Sequence, residues 1–314
     1  VFIVFIICLI CYTTYTLQKR AEAIVELERQ FEKLRIENEK KKTYNACLDE
    51  PYKDASIDAL FNELQATLDS SNISIYFEEL NNDYIFTFNT DKNQYAASII
   101  KLYAASYLLE NARNGNIDLN DTITYTSNYA SIAGLKLRTR TVGEEITLSD
   151  LIDYSISVSD NGAYRMLSNY IGVNTLKEYA QHTLDVNLTI TESDRFGYLD
   201  VTDTNKLLNH VYEFIQTDDE YTDLLVNAMN NTYYNGLNFD DITFLHKYGY
   251  YGSYFNNIGI YNSDNPYLIS IFTLYGDPDR GALSQVSEIS KQIYNIYNTN
   301  LELKEDYCYS LAYE

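Results

Sequence analysis

Ser98 and Lys101 stand three residues apart in the stretch 94–102, which reads QYAASIIKL. On a helix beginning at Ser98 the two side chains share one face, one turn apart, with the hydroxyl at the positive end of the helix dipole. A serine hydroxyl is a poor nucleophile until a neighbour accepts its proton. A lysine can accept it once burial and a nearby cation hold its amine neutral. The same spacing describes an N-cap serine followed by a surface lysine, which is the ordinary explanation of such a pair. A second group, Ser159-Asp160-Asn161, lies between two helical patterns. There Ser159 can relay a proton between the lysine and a leaving group, and Asn161 can orient the substrate and the lysine. Asp160 is suited to holding the turn through backbone amides, and a plain N-cap box is the alternative. The third group, His246-Lys247-Tyr248-Gly249-Tyr250, sits in a strand-like run. Lys247 can bind a substrate carboxylate and depress the pKa of Lys101, Gly249 permits close approach to the strand edge, and the amides of Ser98 and Tyr250 can form an oxyanion hole. Alone, a Lys-x-Gly in a strand is uninformative.

The hydrophobic pattern supplies elements to hold these groups. Helical periodicity over 56–68 follows Ser56, and strand-like runs at 73–77 and 84–88 flank Asn81, Asn82 and Asp83, a hairpin signature. Helical patterns then recur at 99–111, 148–155, 161–170, 175–182, 204–214 and 221–229. Strand composition returns at 242–250, 257–261 and 267–273, and a last helix is expected over 284–297. This order predicts an α/β (α+β) fold in two lobes: an antiparallel sheet whose strands come from both ends of the body, with a helical region between them.

Taken together, in this order and in these settings, the three groups resemble the serine β-lactamase and penicillin-binding protein superfamily. The likeness is greatest to its class A branch, whose signature is Ser-x-x-Lys, Ser-Asp-Asn and Lys-Thr-Gly. The resemblance covers roughly residues 50–300 and runs through YIFTFNTDKNQYAASIIKLYAASYLL, LSDLIDYSISVSDNGAYRMLSNYIG and HKYGYYGSYFNNIGIY. It implies a five-stranded antiparallel sheet flanked by helices beside an all-helical lobe, with the active site between the lobes. By the same resemblance Ser98 is the acylated nucleophile, Lys101 its proton acceptor, Ser159 the proton shuttle, Asn161 a substrate and lysine positioner, and Lys247 the electrostatic anchor. Tyr248, Gly249 and Tyr250 would complete the substrate edge, without a cofactor. The implied substrate is a β-lactam or a peptidoglycan peptide. β-Lactam hydrolysis is the reaction implied most directly, with a D,D-peptidase and a catalytically degenerate envelope binding module as alternatives.

Two departures from the family pattern matter. Tyr248 replaces the Thr or Ser whose hydroxyl normally bonds the substrate carboxylate, and a phenol carries its oxygen several ångströms further from the backbone. The family loop reading Arg-x-Glu-x-x-Leu-Asn, whose Glu activates water for deacylation, is absent from 184–201, LDVNLTITESDRFGYLDV. Glu192 and Asp194 are the available substitutes, with Asp185 and Asp200 at the loop's edges. Without such a base, acylation proceeds and deacylation stalls.

The remaining features concern placement and partners. The 314 residues include 45 Asp plus Glu and 23 Lys plus Arg, a net charge of −22. A hydrophobic fraction of 46% is too high for a disordered acidic chain, and no basic patch exists to neutralise nucleic-acid phosphates. Residues 1–50 carry eight basic and eight acidic side chains, so the whole excess lies after residue 50. Residues 1–17 hold no charge and reach the lower limit of about 17 residues for crossing a bilayer. They are expected to be a transmembrane anchor with the body outside the cytoplasm; the rival, a cleaved signal peptide, lacks its small-x-small cleavage pattern. Ile24, Leu27, Phe31 and Leu34 form a seam of about two heptads over a helical stalk at 18–43, either a solvated spacer or a homodimer contact. The hydrolase domain is expected at 44–314. Cys8 and Cys11 fall in the apolar segment, whereas Cys47 and Cys308 flank the body, where an oxidising compartment would let them form a disulfide. With three histidines and no ligand-spaced cluster, a zinc enzyme is not expected.

Overall fold

The computed structural model describes residues 2–82 and 84–314; Val1 of the expected anchor and Asp83 of the expected hairpin turn lie outside the described residues. The chain divides into two compact units, residues 55–298 and the N-terminal segment up to Asp54 together with 299–314.

The larger unit is built on five strands, β1 (Ile73–Glu79), β2 (Tyr84–Phe88), β3 (Leu245–Tyr251), β4 (Tyr254–Tyr261) and β5 (Tyr267–Thr273). They lie in the order β2-β1-β5-β4-β3, each neighbouring pair antiparallel, so strands from both ends of the unit share one sheet. All seven residues of β5 are buried, the burial expected of a central strand covered on both faces. On one face Phe61 of helix Ala55–Thr67 stacks on Phe86, and Tyr297 packs on Tyr267 at 4.8 Å between ring centroids. On the other, Thr204 of helix Val201–Phe214 bonds Ser270 of β5 across 3.0 Å. β3 is left at the sheet edge, beside the turn that carries Ser98.

Helices Ile100–Arg113, Leu148–Ser157, Asn161–Ile171, Val173–Leu184 and Glu220–Asn230 form the second lobe. Ten of the fourteen residues of Ile100–Arg113 are buried, Lys101 among them, so this helix is central to the lobe and not an amphipathic surface element.

The expected sheet and helical lobe are both present, and the element limits differ in three places. β3 starts at Leu245 and not 242, because Phe239 and Ile242 pair with each other and the Asn238 side chain accepts the Phe244 amide. β4 starts at Tyr254 and not 257, because Gly252, at φ +60°, turns the chain so that Tyr250 and Tyr251 pair with Phe255 and Tyr254. The last helix runs through Ala282–Tyr313, past the expected end at 297.

In the second unit, Phe2–Leu48 is one uninterrupted helix without a buried residue, so the expected passage from anchor to stalk near residue 17 leaves no break. Its apolar part reaches a mean hydropathy of 1.6 over 18 residues, sufficient by length and composition to cross a membrane. Ile24, Leu27, Phe31 and Leu34 are all exposed. Cys47 and Cys308 are joined by a disulfide, Tyr52 stacks on Tyr307 at 5.2 Å, and Asn300 bonds the Asp54 amide and the Tyr52 carbonyl. These contacts continue the last helix beyond 297. Titration of the denatured, unreduced protein is expected to count two thiols, those of Cys8 and Cys11, and four after reduction. Four thiols before reduction would contradict the bridge.

Candidate active site

A two-residue strand, Gln94–Tyr95, paired with Tyr198–Leu199, delivers the chain to a single turn of 3-10 helix, Ala97–Ile99, that runs directly into helix Ile100–Arg113. Ala97 sits at φ +48°, a region that side chains other than glycine rarely adopt and that concentrates at functional sites. Ser98 follows it inside this turn, whose N-cap is Ala96, while Ile99 caps the following helix, so Ser98 is not the capping residue of either. Lys101 is fully buried. Neither half of the ordinary explanation, N-cap serine and surface lysine, describes this pair.

β3 approaches the same turn at Gly249. A Cβ there would lie 2.5 Å from the Ala96 carbonyl oxygen and 3.1 Å from the Ser98 nitrogen, so no side chain fits without moving the strand or the turn. Glycine is required here by approach, not by backbone torsion.

Ser159-Asp160-Asn161 enters from the other lobe. Asp160 is fully buried and caps helix Asn161–Ile171 by accepting from the Gly162 and Ala163 amides at 2.9 and 3.2 Å. It also accepts from the Gly134 and Leu137 amides at 2.8 and 3.0 Å, tying a distant loop to the cap. With Asp160 fixed, Ser159 is held at φ +55°. Lys101 Nζ donates to the Ser159 carbonyl at 2.5 Å, to Ser159 Oγ at 3.1 Å and to Asn161 Oδ1 at 2.8 Å. Lys247 Nζ donates to the same Ser159 Oγ at 3.1 Å and to the Tyr248 carbonyl at 2.8 Å. One hydroxyl therefore links two buried lysines.

Burial pushes the Lys101 ammonium down to about 7, and the negative charge of Asp160 opposes that shift. Lys247 is pushed well below the ordinary lysine range, first by burial and then by the charge of Lys101. Burial is the larger cause for each amine, and because both lysines reach the same Ser159 hydroxyl the repulsion between their charged forms is mutual. Three donated hydrogen bonds suit an ammonium; after losing a proton the amine keeps two N–H groups and gains a lone pair.

Tyr248 lies with its ring 4.2 Å from Lys247 Nζ and edge-on to Tyr234 at 5.1 Å. Burial pushes its phenol up to about 12, a hydrogen bond from Ser159 opposing, so it stays protonated at neutral pH. His246 is buried against Thr232 and the Tyr234 carbonyl, and burial lowers its pKa; it belongs to the core.

Ser98 and Asn161 line a cavity of about 210 Å³, together with Tyr95, Ala97, Phe196, Tyr250 and Tyr251. Four of these were not candidates from the sequence: Tyr95, Ala97, Phe196 and Tyr251. A chain with 32 tyrosines gives its aromatic residues little distinctiveness, and the one local cue is that Tyr95 precedes Ser98 by three residues. The carboxylates considered as water activators lie elsewhere. Glu192 is exposed and paired with Arg195, and Asp185 is exposed and paired with Lys206. Asp194 accepts from the Tyr95 hydroxyl and the Phe196 amide, both at 3.0 Å, while Asp200 caps helix Val201–Phe214. In their place Phe196 faces the site, its ring centroid 5.9 Å from Lys101 Nζ. Among the described residues no group of His, Cys, Asp and Glu is arranged to hold a metal ion.

The fold of the larger unit is shared with solved structures. It superposes on PBP-A with a TM-score of 0.67 at 18% identity, covering 79% of this chain and 98% of that one. It matches a β-lactamase from Chitinophaga pinensis with a TM-score of 0.65 at 19% identity, over 76% and 98% of the two chains. A class A β-lactamase from Bacteroides cellulosilyticus gives 0.65 at 21%, over 78% and 98%. A variant of PBP-A has been solved as an acyl-enzyme complex with penicillin G. No curated protein matches the chain. At such identities a common structure establishes the fold alone. The family itself is carried by a sequence model, that of the β-lactamase enzyme family, which matches residues 57–297 and so takes in the sheet, the helical lobe and every residue of the cavity. On that match the chain belongs to the β-lactamase enzyme family, within the serine β-lactamase and penicillin-binding protein superfamily.

Proposed function

We propose that this protein is a membrane-tethered, extracytoplasmic serine hydrolase that is acylated at Ser98 by a β-lactam or a cell-wall peptide and releases the acyl group slowly. The observation that carries the reading is the burial of Lys101, one helical turn from Ser98, with an amine that titrates near neutrality. In the proposed reaction the neutral amine takes the Ser98 proton as Oγ bonds the carbonyl carbon. The C–N bond then breaks, and the leaving nitrogen receives a proton through Ser159, which both lysines contact. Water later cleaves the Ser98 ester and restores the hydroxyl. Asn161 orients Lys101 and the substrate, and Lys247 anchors the relay through Ser159.

Slow release is favoured because Phe196 stands in the cavity and, among the described residues, no carboxylate lines it. That favours a D,D-peptidase or penicillin-binding role over efficient β-lactam turnover, consistent with the acyl-enzyme formed by the PBP-A variant. Membrane tethering is supported by the apolar N-terminal helix, and placement outside the cytoplasm by the Cys47–Cys308 bridge, which an oxidising compartment sustains.

Fluorescent penicillin is expected to label the wild type at Ser98 and to leave Ser98→Ala unlabelled, by peptide mapping. Equal labelling of both proteins would refute the assignment, and no labelling of either would favour the degenerate binding module. The label should persist, with deacylation slower by about 10²–10⁴-fold than in an enzyme that uses a water-activating carboxylate; rapid turnover of a chromogenic cephalosporin would count against slow release. The acylation rate should rise as pH passes upward through about 7 and then level, since the base form of Lys101 is the active one. In Lys101→Arg that rise should vanish, with the rate down by about 10²–10⁴-fold.

A further inference from the structure

The cavity beside Ser98 has a composition that the proton relay does not explain. Besides Ser98, Ala97 and Asn161 it is lined by four aromatic rings, Tyr95, Phe196, Tyr250 and Tyr251. The rings are organised: Tyr95 packs on Tyr251 at 5.2 Å, on Tyr198 at 5.4 Å and on Tyr254 at 6.0 Å, while Phe196 packs on Tyr164 at 5.5 Å. The Tyr95 hydroxyl donates to Asp194, which places that ring. Tyr250 and Tyr251 remain 37% and 65% exposed at the rim, available to cover an incoming group. No charged side chain lines the cavity among the described residues, in a chain whose net charge is −22.

Size and position narrow what this cavity receives. Its volume of about 210 Å³ is below the roughly 300–1,000 Å³ of sites enclosing a whole drug-sized ligand, whereas an apolar cavity of about 150 Å³ accepts benzene. It therefore holds one substituent of about the size of a single ring. Asn161 and Phe196 line it, while Lys247 and Tyr248 do not. A substrate carbonyl at Ser98, with its leaving group toward the Lys247–Ser159 side, thus places its acyl side chain in the cavity.

We infer that the β-lactams that acylate Ser98 fastest carry a flat aromatic side chain on the acyl portion, which the rings of Tyr95, Phe196, Tyr250 and Tyr251 receive. This rests on the reading of Ser98 as the acylated nucleophile and goes beyond it in naming the acyl donor: aryl-bearing groups are preferred over small aliphatic or cationic ones. Ring pairs add to the gain from burial, whereas a cation, although the ring faces attract it, would stand beside the Phe196 ring that already lies 5.9 Å from Lys101 Nζ and meet that lysine's charge.

The test uses three penicillins on the full-length protein, identical but for phenylacetyl, acetyl or cationic aminoalkanoyl side chains. Acylation of Ser98 is followed by intact mass, each rate being divided by that compound's alkaline hydrolysis rate. The phenylacetyl compound is expected to react about tenfold or more faster than the acetyl one, and the cationic one slowest. In Tyr251→Ala, an exposed position whose truncation is checked by thermal melting, the phenylacetyl preference should fall toward unity, and Tyr251→Phe should retain it. Equal rates for the three compounds would overturn the aryl preference while leaving Ser98 as nucleophile. A preference unchanged in Tyr251→Ala, or lost equally in Tyr251→Phe, would overturn the role of the ring. Failure of all three to acylate Ser98 would overturn both readings.

Discussion

A lysine buried without a carboxylate in direct contact is the constraint around which this site is arranged. Removing Lys101 from water penalises its charged form, and three oxygen acceptors from Ser159 and Asn161 return part of that loss. Asp160 supplies the compensating charge from a distance. Its oxygens are occupied by four backbone amides, so the carboxylate stabilises the ammonium through space without forming an ion pair that would fix the proton. A direct contact would hold the pKa high and leave no base, and no anion at all would let burial lower it further. The observed balance sits between these limits.

That balance depends on backbone held in uncommon conformations. Ala97 and Ser159, both at positive φ, flank the two sides of the site, and residues in such regions cost about 1–3 kcal/mol each. The surroundings sustain them. Asp160 ties the loop at Gly134 and Leu137 to the cap beside Ser159, and the Gln94–Tyr95 pairing with Tyr198–Leu199 leads directly into Ala97. Gly249 then allows β3 to close on the turn. The sheet edge, the central helix and the Asp160 cap each fix one wall, and the cavity is what remains between them.

Much of this was legible in residue order. The strand-like runs around Ile75 and Ile269 and the helical pattern from Ile99 onward specify both lobes, because burial acts along the whole of a long element. Ser98, Lys101, Ser159, Asn161 and Lys247 were legible because their types are chemically uncommon together and their spacing matches turns that bring hydroxyls and amines to one point. Limits at Leu245 and Tyr254 were less so, since a turn such as 238–244 is decided by one or two specific hydrogen bonds. Of the aromatic wall only Tyr250 was legible. Tyr95, Phe196 and Tyr251 come from a two-residue strand, a loop and a strand end, and beyond the position of Tyr95 three residues before Ser98 nothing local distinguishes them from the other aromatic residues.

Phe196 joins the two halves of this account. The 184–201 loop presents the Phe196 ring to the cavity, while its acidic residues pair with Arg195, accept from Tyr95 or cap a helix. The ring adds apolar surface beside Ser98, and at 5.9 Å from Lys101 Nζ it excludes water from the amine while its face attracts the charged form. On the proposed reading of Ser98 as acylated nucleophile, a wall that holds an acyl group and offers water no carboxylate would prolong the acyl-enzyme, so the residue that shapes the cavity would also set the step at which the reaction waits.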